Sequence, residues 1–109
     1  KGKSIACPTG PYLVTKDEIT DINNLNLSLD VNGERRQTGN TERMIFNFNF
    51  LISHISHFMT LYPGTIITTG TPAGTAMEMD MPKFLQVGDK LNLKVDHLGE
   101  QNHIVVKES

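Results

Sequence analysis

Leu25-Asn26-Leu27-Ser28-Leu29-Asp30-Val31-Asn32-Gly33 is the stretch from which the fold can be read. Leucine and valine occupy every second position, so one face of an extended segment is apolar and the other polar, the pattern of a half-buried strand. Asn32-Gly33 supplies two residues that tolerate positive φ, which a tight type I′ turn requires. The return strand is expected from Glu34 to about Thr38, and its polar composition suits a surface or edge position. Within it, the Arg35-Arg36 pair, preceded by Glu34, reads as a solvated strand edge rather than a phosphate patch.

Downstream of the hairpin the period changes. Met44, Phe48, Leu51, Ile55 and Phe58 recur at spacings of four and three, widened by Ile45, Ile52 and Met59, which predicts one long amphipathic helix. Asn40 or Thr41 serves as its N-cap, Glu42 lies in its first turn, and Pro63-Gly64 ends it. Thr65 to Thr69 reads as a short buried β-branched strand leading into Gly70-Thr71-Pro72-Ala73-Gly74, a sharply turning loop. Leu91, Leu93 and Val95 alternate as another strand, Leu98-Gly99-Glu100 turns, and a last strand follows around Ile104 to Val106. Strands outnumber the single helix, so the class is α+β with a mainly antiparallel or mixed sheet.

The 109 residues are one domain's worth of chain, enough for a single core. A net charge of -2 without long runs of one sign builds no nucleic-acid footprint. No apolar stretch approaches the roughly 20 residues needed to span a bilayer, and the start lacks a signal-peptide core, so no membrane association and a cytoplasmic setting are expected. The single cysteine, Cys7, excludes an internal disulfide and has no local histidine to activate it. The opening Lys1-Gly2-Lys3-Ser4-Ile5 lacks an initiator Met and reads as a piece of a longer chain.

Four features bear on chemistry. In Thr68-Thr69-Gly70-Thr71-Pro72-Ala73-Gly74-Thr75, small and glycine residues after a strand either make a tight turn or leave backbone N–H groups free to cradle a carboxylate or enolate oxygen. Lys3, with Lys1 nearby, can hold a carboxylate or an oxyanion, although such lysines are usually solvated. His54 and His57 share one helix face, but no third ligand accompanies them, which favours a structural pair over a metal site; His97 and His103 flank a turn and read the same way. Met77-Glu78-Met79-Asp80-Met81 reads as an exposed loop rather than a flap.

Taken in order, these segments resemble the fumarylacetoacetate hydrolase family. Gly2-Lys3-Ser4 and Cys7-Pro8-Thr9-Gly10-Pro11-Tyr12-Leu13-Val14 resemble its lysine strand and the segment after it. Val31-Asn32-Gly33-Glu34 with Arg36-Gln37, Gly39-Asn40-Thr41 and Met44-Ile45-Phe46 resemble its hairpin and helix entry. Phe58-Met59-Thr60-Leu61, Pro63-Gly64 and Thr69-Gly70-Thr71-Pro72-Ala73-Gly74 are the most specific part, and Phe84-Leu85 with Gly88-Asp89 completes the series. The nearest branch is that of the 2-hydroxyhepta-2,4-diene-1,7-dioate isomerases and acylpyruvases.

The resemblance implies a mixed β-sandwich roll with one long helix, of which residues 1–109 form the C-terminal part of a single catalytic domain. It also implies a homodimer and a Mg²⁺ or Mn²⁺ ion that stabilises the enolate of a small 2-oxo or β-dicarbonyl dicarboxylate. Carried over by position, Lys3 matches the catalytic lysine, and Gly70 and Thr71 match the substrate-binding loop. The family's metal-binding carboxylates lie N-terminal to the lysine strand, so the resemblance assigns no metal ligand here, Glu78 and Asp80 included. One departure falls between Ile5 and Ala6, where the family has two further residues, often Asp-Thr. The competing function class is a non-catalytic β-rich scaffold or subunit-interface domain of the same fold.

Overall fold

The Asn32-Gly33 turn forms as its residues require, with φ of 53° and 80°. It joins β1 (Asn26–Val31) to β2 (Glu34–Asn40), which extends two residues past the expected Thr38. Asn32 also works beyond the turn. Its side-chain amide donates to Asp89 at 2.9 Å and its side-chain oxygen accepts from the Lys90 amide at 2.9 Å, tying the hairpin tip to the start of the next strand. The structure is a computed structural model, and it describes residues 7–107.

Two further strands, β3 (Lys90–Val95) and β4 (Gly99–Ile104), complete a four-stranded sheet in the order β2-β1-β3-β4. Every pairing in it is antiparallel. β1 and β3 align Leu27 with Val95, Leu29 with Leu93 and Val31 with Leu91, so the two period-2 patterns meet in one apolar ladder. Leu25 and Val31 are the buried hydrophobic side chains of the described residues, at 5% and 4% exposure. β2 is an edge strand, as its polar sequence suggests. The α+β class stands, with one helix set beside an antiparallel sheet.

Four expectations are corrected. The helix α1 runs only from Phe48 to Ser56. The Asn40 side chain does cap, accepting from the Glu42 amide at 2.8 Å, but it caps a separate 3₁₀ turn, Thr41–Arg43. Met44 then becomes extended, and Asn47 restarts the chain as the N-cap of α1, accepting from the Phe50 amide at 2.9 Å. Met44, Phe48, Leu51 and Ile55 are half-buried along the predicted stripe, whereas Ile45, Ile52, Phe58 and Met59 are exposed.

Second, Thr65–Thr69 carries no strand pairing among the described residues, and Ile66 is exposed rather than buried. Third, the last turn and strand lie earlier than expected. The turn centres on Asp96-His97-Leu98, with His97 and Gly99 at φ of 62° and 81°, and β4 begins at Gly99.

The fourth correction concerns Arg36. It is not a solvated edge residue: its side chain is only 14% exposed, and its guanidinium donates to the Met79 sulfur at 3.6 Å. Arg35, beside it, is the solvent-facing one and pairs with Asp30.

Candidate functional site

The loop after Thr69 is shaped by its glycines. Gly70 and Gly74 adopt φ of 90° and 106°, a region that side chains with a Cβ rarely enter, and they bend the chain back onto β2. That contact is close enough to demand glycine on both sides. A Cβ on Gly74 would stand 2.1 Å from the Arg36 carbonyl oxygen, and a Cβ on Gly39 would stand 2.9 Å from Pro72 Cβ. The loop is therefore seated on one edge strand along Arg36, Gln37 and Gly39.

Gln37 supplies the polar half of the seat. Its side-chain nitrogen donates to the Pro72 carbonyl at 2.7 Å and to Thr71 Oγ1 at 2.9 Å. At the far end of the loop, Glu78 Oε2 accepts from the amides of Gly74 at 2.8 Å and Thr75 at 2.9 Å. The Thr75 amide, with that of Gly74 next, holds the Glu78 carboxyl below its ordinary range.

The expected anion nest thus divides in two. Its Gly74-Thr75 half is already filled by the chain's own carboxylate, so Glu78 and the short 3₁₀ turn Ala76–Glu78 serve as a clamp. Among the described residues no hydrogen bond engages the amides of Thr69, Gly70 or Thr71. Thr71 and Gly70 are both exposed.

These two residues line a cleft of about 590 Å³ between the loop, the end of β2 and the start of α1. Met44, Ile45, Phe46, Phe48 and Leu51 form its apolar wall, and Thr69, Gly70, Thr71, Asn40 and Thr41 its polar rim. Arg43 is the one formal charge among the lining residues, so the cleft is cationic. An apolar wall, a polar rim and an arginine suit a small anion with a carbon skeleton.

The histidines take no part. His54 stacks on Phe50 with ring centroids 5.8 Å apart and meets Phe58 edge-on at 5.1 Å, while His57 bonds the Ser53 carbonyl oxygen through Nδ1 at 2.7 Å. Among the described residues no three His, Cys, Asp or Glu side chains gather as a metal ion requires, so they do not fit a divalent cation. Lys3 lies outside the described residues.

Sequence reasoning missed two residues of this site. Glu78 had a signal, because Thr75-Ala76-Met77-Glu78 has the spacing of a capping box. Gln37 had only its place in the Arg36-Gln37 part of the hairpin resemblance: nothing in a polar edge strand marks which amide will face a loop 34 residues away.

The sequence also matches the family model for the fumarylacetoacetate (FAA) hydrolase C-terminal over residues 1–106. The chain belongs to the fumarylacetoacetate hydrolase family. An uncharacterized protein of Staphylococcus aureus is 48% identical over 101 residues, covering 93% of this chain and 34% of the relative. The chain therefore spans about a third of the length of the curated relatives it matches.

Two solved structures share this fold under different named activities. Maleylpyruvate hydrolase from Sphingobium sp. SYK-6, in complex with manganese(II) and pyruvate, superposes with a TM-score of 0.84 at 35% identity, over 94% of this chain and 36% of that one. The 2-hydroxyhepta-2,4-diene-1,7-dioate isomerase of Mycobacterium marinum superposes with a TM-score of 0.76 at 33% identity, over 92% and 36%. Hydrolases and isomerases thus share this part of the fold, and no helix among the described residues is long and apolar enough to cross a membrane.

Proposed function

We propose that the full-length protein is a metal-dependent enzyme acting on small 2-oxo or β-dicarbonyl dicarboxylates, as an isomerase, a decarboxylase or an acylpyruvate hydrolase. The observation that carries this reading is the Gly70-Thr71 loop: two exposed residues seated on β2, on the rim of a cleft whose one charge is Arg43. Isomerisation, decarboxylation and hydrolytic C–C cleavage of such substrates all place negative charge on an oxygen next to the reacting carbon. Donors already fixed toward that oxygen stabilise the charge as it develops. In this reading the amides of Gly70 and Thr71 and the Thr71 hydroxyl donate to a substrate carboxylate or enolate oxygen. The apolar wall excludes water from the carbon chain.

Lys3 is assigned as the catalytic lysine that balances the same charge, by its match to the family's lysine strand. A Mg²⁺ or Mn²⁺ ion, when bound, supplies Lewis-acid stabilisation of the enolate, and its ligands belong to sequence beyond residues 1–109. The described residues themselves offer no ligand set for that ion. The relative crystallised with manganese and pyruvate supports both the metal and the 2-oxo acid class. The complete domain is expected to close as a mixed β-sandwich roll, to pair as a homodimer, and to work in the cytoplasm on products of aromatic breakdown.

The test is a screen of the full-length enzyme with Mg²⁺ and with Mn²⁺ against oxaloacetate, acylpyruvates and 2-hydroxyhepta-2,4-diene-1,7-dioate. Metal-dependent turnover of one of these is expected. Absence of turnover with all of them, in protein that binds the metal, would contradict the reading.

A further inference from the structure

We infer that Gln37 is a positioning residue that fixes the direction in which the Thr71 hydroxyl donates; this rests on the proposed role of Thr71 at the substrate. The Pro72 carbonyl oxygen only accepts, and it lies 2.7 Å from the end of the Gln37 side chain, so that end is the NH₂ group. The same nitrogen lies 2.9 Å from Thr71 Oγ1. It carries two hydrogens, one for each partner, so Thr71 Oγ1 is an acceptor in this contact.

A hydroxyl has one proton. With Gln37 donating to its oxygen, the Thr71 proton cannot be spent on Gln37 and remains to be given elsewhere, and Thr71 lines the cleft. Gln37 thereby sorts the hydroxyl into a donor toward the cleft, which an anionic oxygen needs. It also polarises that O–H bond, as successive hydrogen bonds in a chain do. The half-buried Gln37 is itself held by β2, whose register is set through Leu29 in β1. The donor direction is therefore a property of the sheet.

Most of the effect of Gln37 on the ligand should therefore pass through the Thr71 hydroxyl, with the small remainder passing through its bond to the Pro72 carbonyl. A residue that merely fills space would affect binding whether or not the hydroxyl were present.

The experiment is a double-mutant cycle in the full-length enzyme, read as the dissociation constant for pyruvate in the presence of Mn²⁺. Thr71→Val and Gln37→Ala should each weaken binding about 10-fold, and the double variant should be no more than about twofold weaker than Thr71→Val alone. Gln37→Glu keeps the shape but cannot donate when ionised. It should weaken binding at least as much as Gln37→Ala, and it carries the test if the alanine variant fails to fold. Losses that multiply in the double variant, or Gln37→Glu binding as the parent does, would overturn the role of Gln37 while leaving Thr71 at the substrate. Parent-like binding by Thr71→Val would instead overturn the functional reading, and the inference with it.

Discussion

Thr71 carries a single hydroxyl proton, and the seat of its loop decides where that proton points. Replacing Thr71 by Val keeps the branched shape and removes the donor. The full-length enzyme should lose about 1–3 kcal/mol of transition-state binding, read as kcat/KM, with an unchanged thermal midpoint. Gly74 is a different kind of residue, since nothing but glycine fits 2.1 Å from the Arg36 carbonyl oxygen at a φ of 106°. Gly74→Ala should unseat the loop. Amide hydrogen exchange at Gly70 and Thr71 in the full-length enzyme should rise, while the β1–β3 amides stay protected. Glu78 makes the loop pH-sensitive in one direction. The Thr75 and Gly74 amides hold its carboxyl below the ordinary range, so the clamp's contribution is complete above the ordinary glutamate pKa and is lost as pH falls through the lowered one. An acid titration followed by nuclear magnetic resonance should therefore show the Gly74 and Thr75 amide signals moving together with Glu78. Amide signals that ignore that titration would remove the clamp.

The elements differ in how openly the sequence declares them. The β1–β2 hairpin was legible because period-2 alternation and Asn-Gly at the turn point to the same answer, and the structure adds a register shift between Leu29 and Asp30 and a longer β2. The helix was legible in its half-buried stripe but not in its start or its end. Asn40 and Asn47 are both competent caps, seven residues apart, and both cap, so the apolar spacing runs unbroken across a 3₁₀ turn and an extended residue. Capping at Asn47 should accordingly stabilise α1 itself. Asn47→Ala is expected to cost about 1 kcal/mol in denaturant unfolding of the full-length protein. Around the candidate site, the Gly70-Thr71 loop could be picked out from residue types that fit an anion loop, whereas the seat that Gln37 gives it could not, because a long-range contact leaves no periodic trace. Arg36 was misread for the same reason: its guanidinium meets Met79, 43 residues away, and no local pattern marks that contact.

At the scale of the whole molecule, the apolar inventory exceeds what residues 7–107 bury. Two hydrophobic side chains are buried, while Ile45 is 92% exposed and Phe58, Tyr62 and Phe84 also face outward. The radius of gyration of 15.6 Å exceeds the roughly 13 Å expected of a compact domain near this length. Exposed apolar surface on this scale marks faces made to be covered. The 109-residue chain by itself should bind an apolar dye such as ANS and unfold with a shallow denaturant slope, whereas the full-length protein should do neither. Sharp, dye-free unfolding of the isolated chain would mean that its own small core suffices. The proposed role of the Gly70-Thr71 loop, seated on β2, is to supply donors to the substrate's anionic oxygen. Its most direct test is a crystal structure of the full-length enzyme with Mn²⁺ and pyruvate. A pyruvate oxygen is expected within about 3 Å of Thr71 Oγ1, with the Gln37 amide still donating to that hydroxyl. Pyruvate bound with Thr71 out of hydrogen-bonding reach would contradict it.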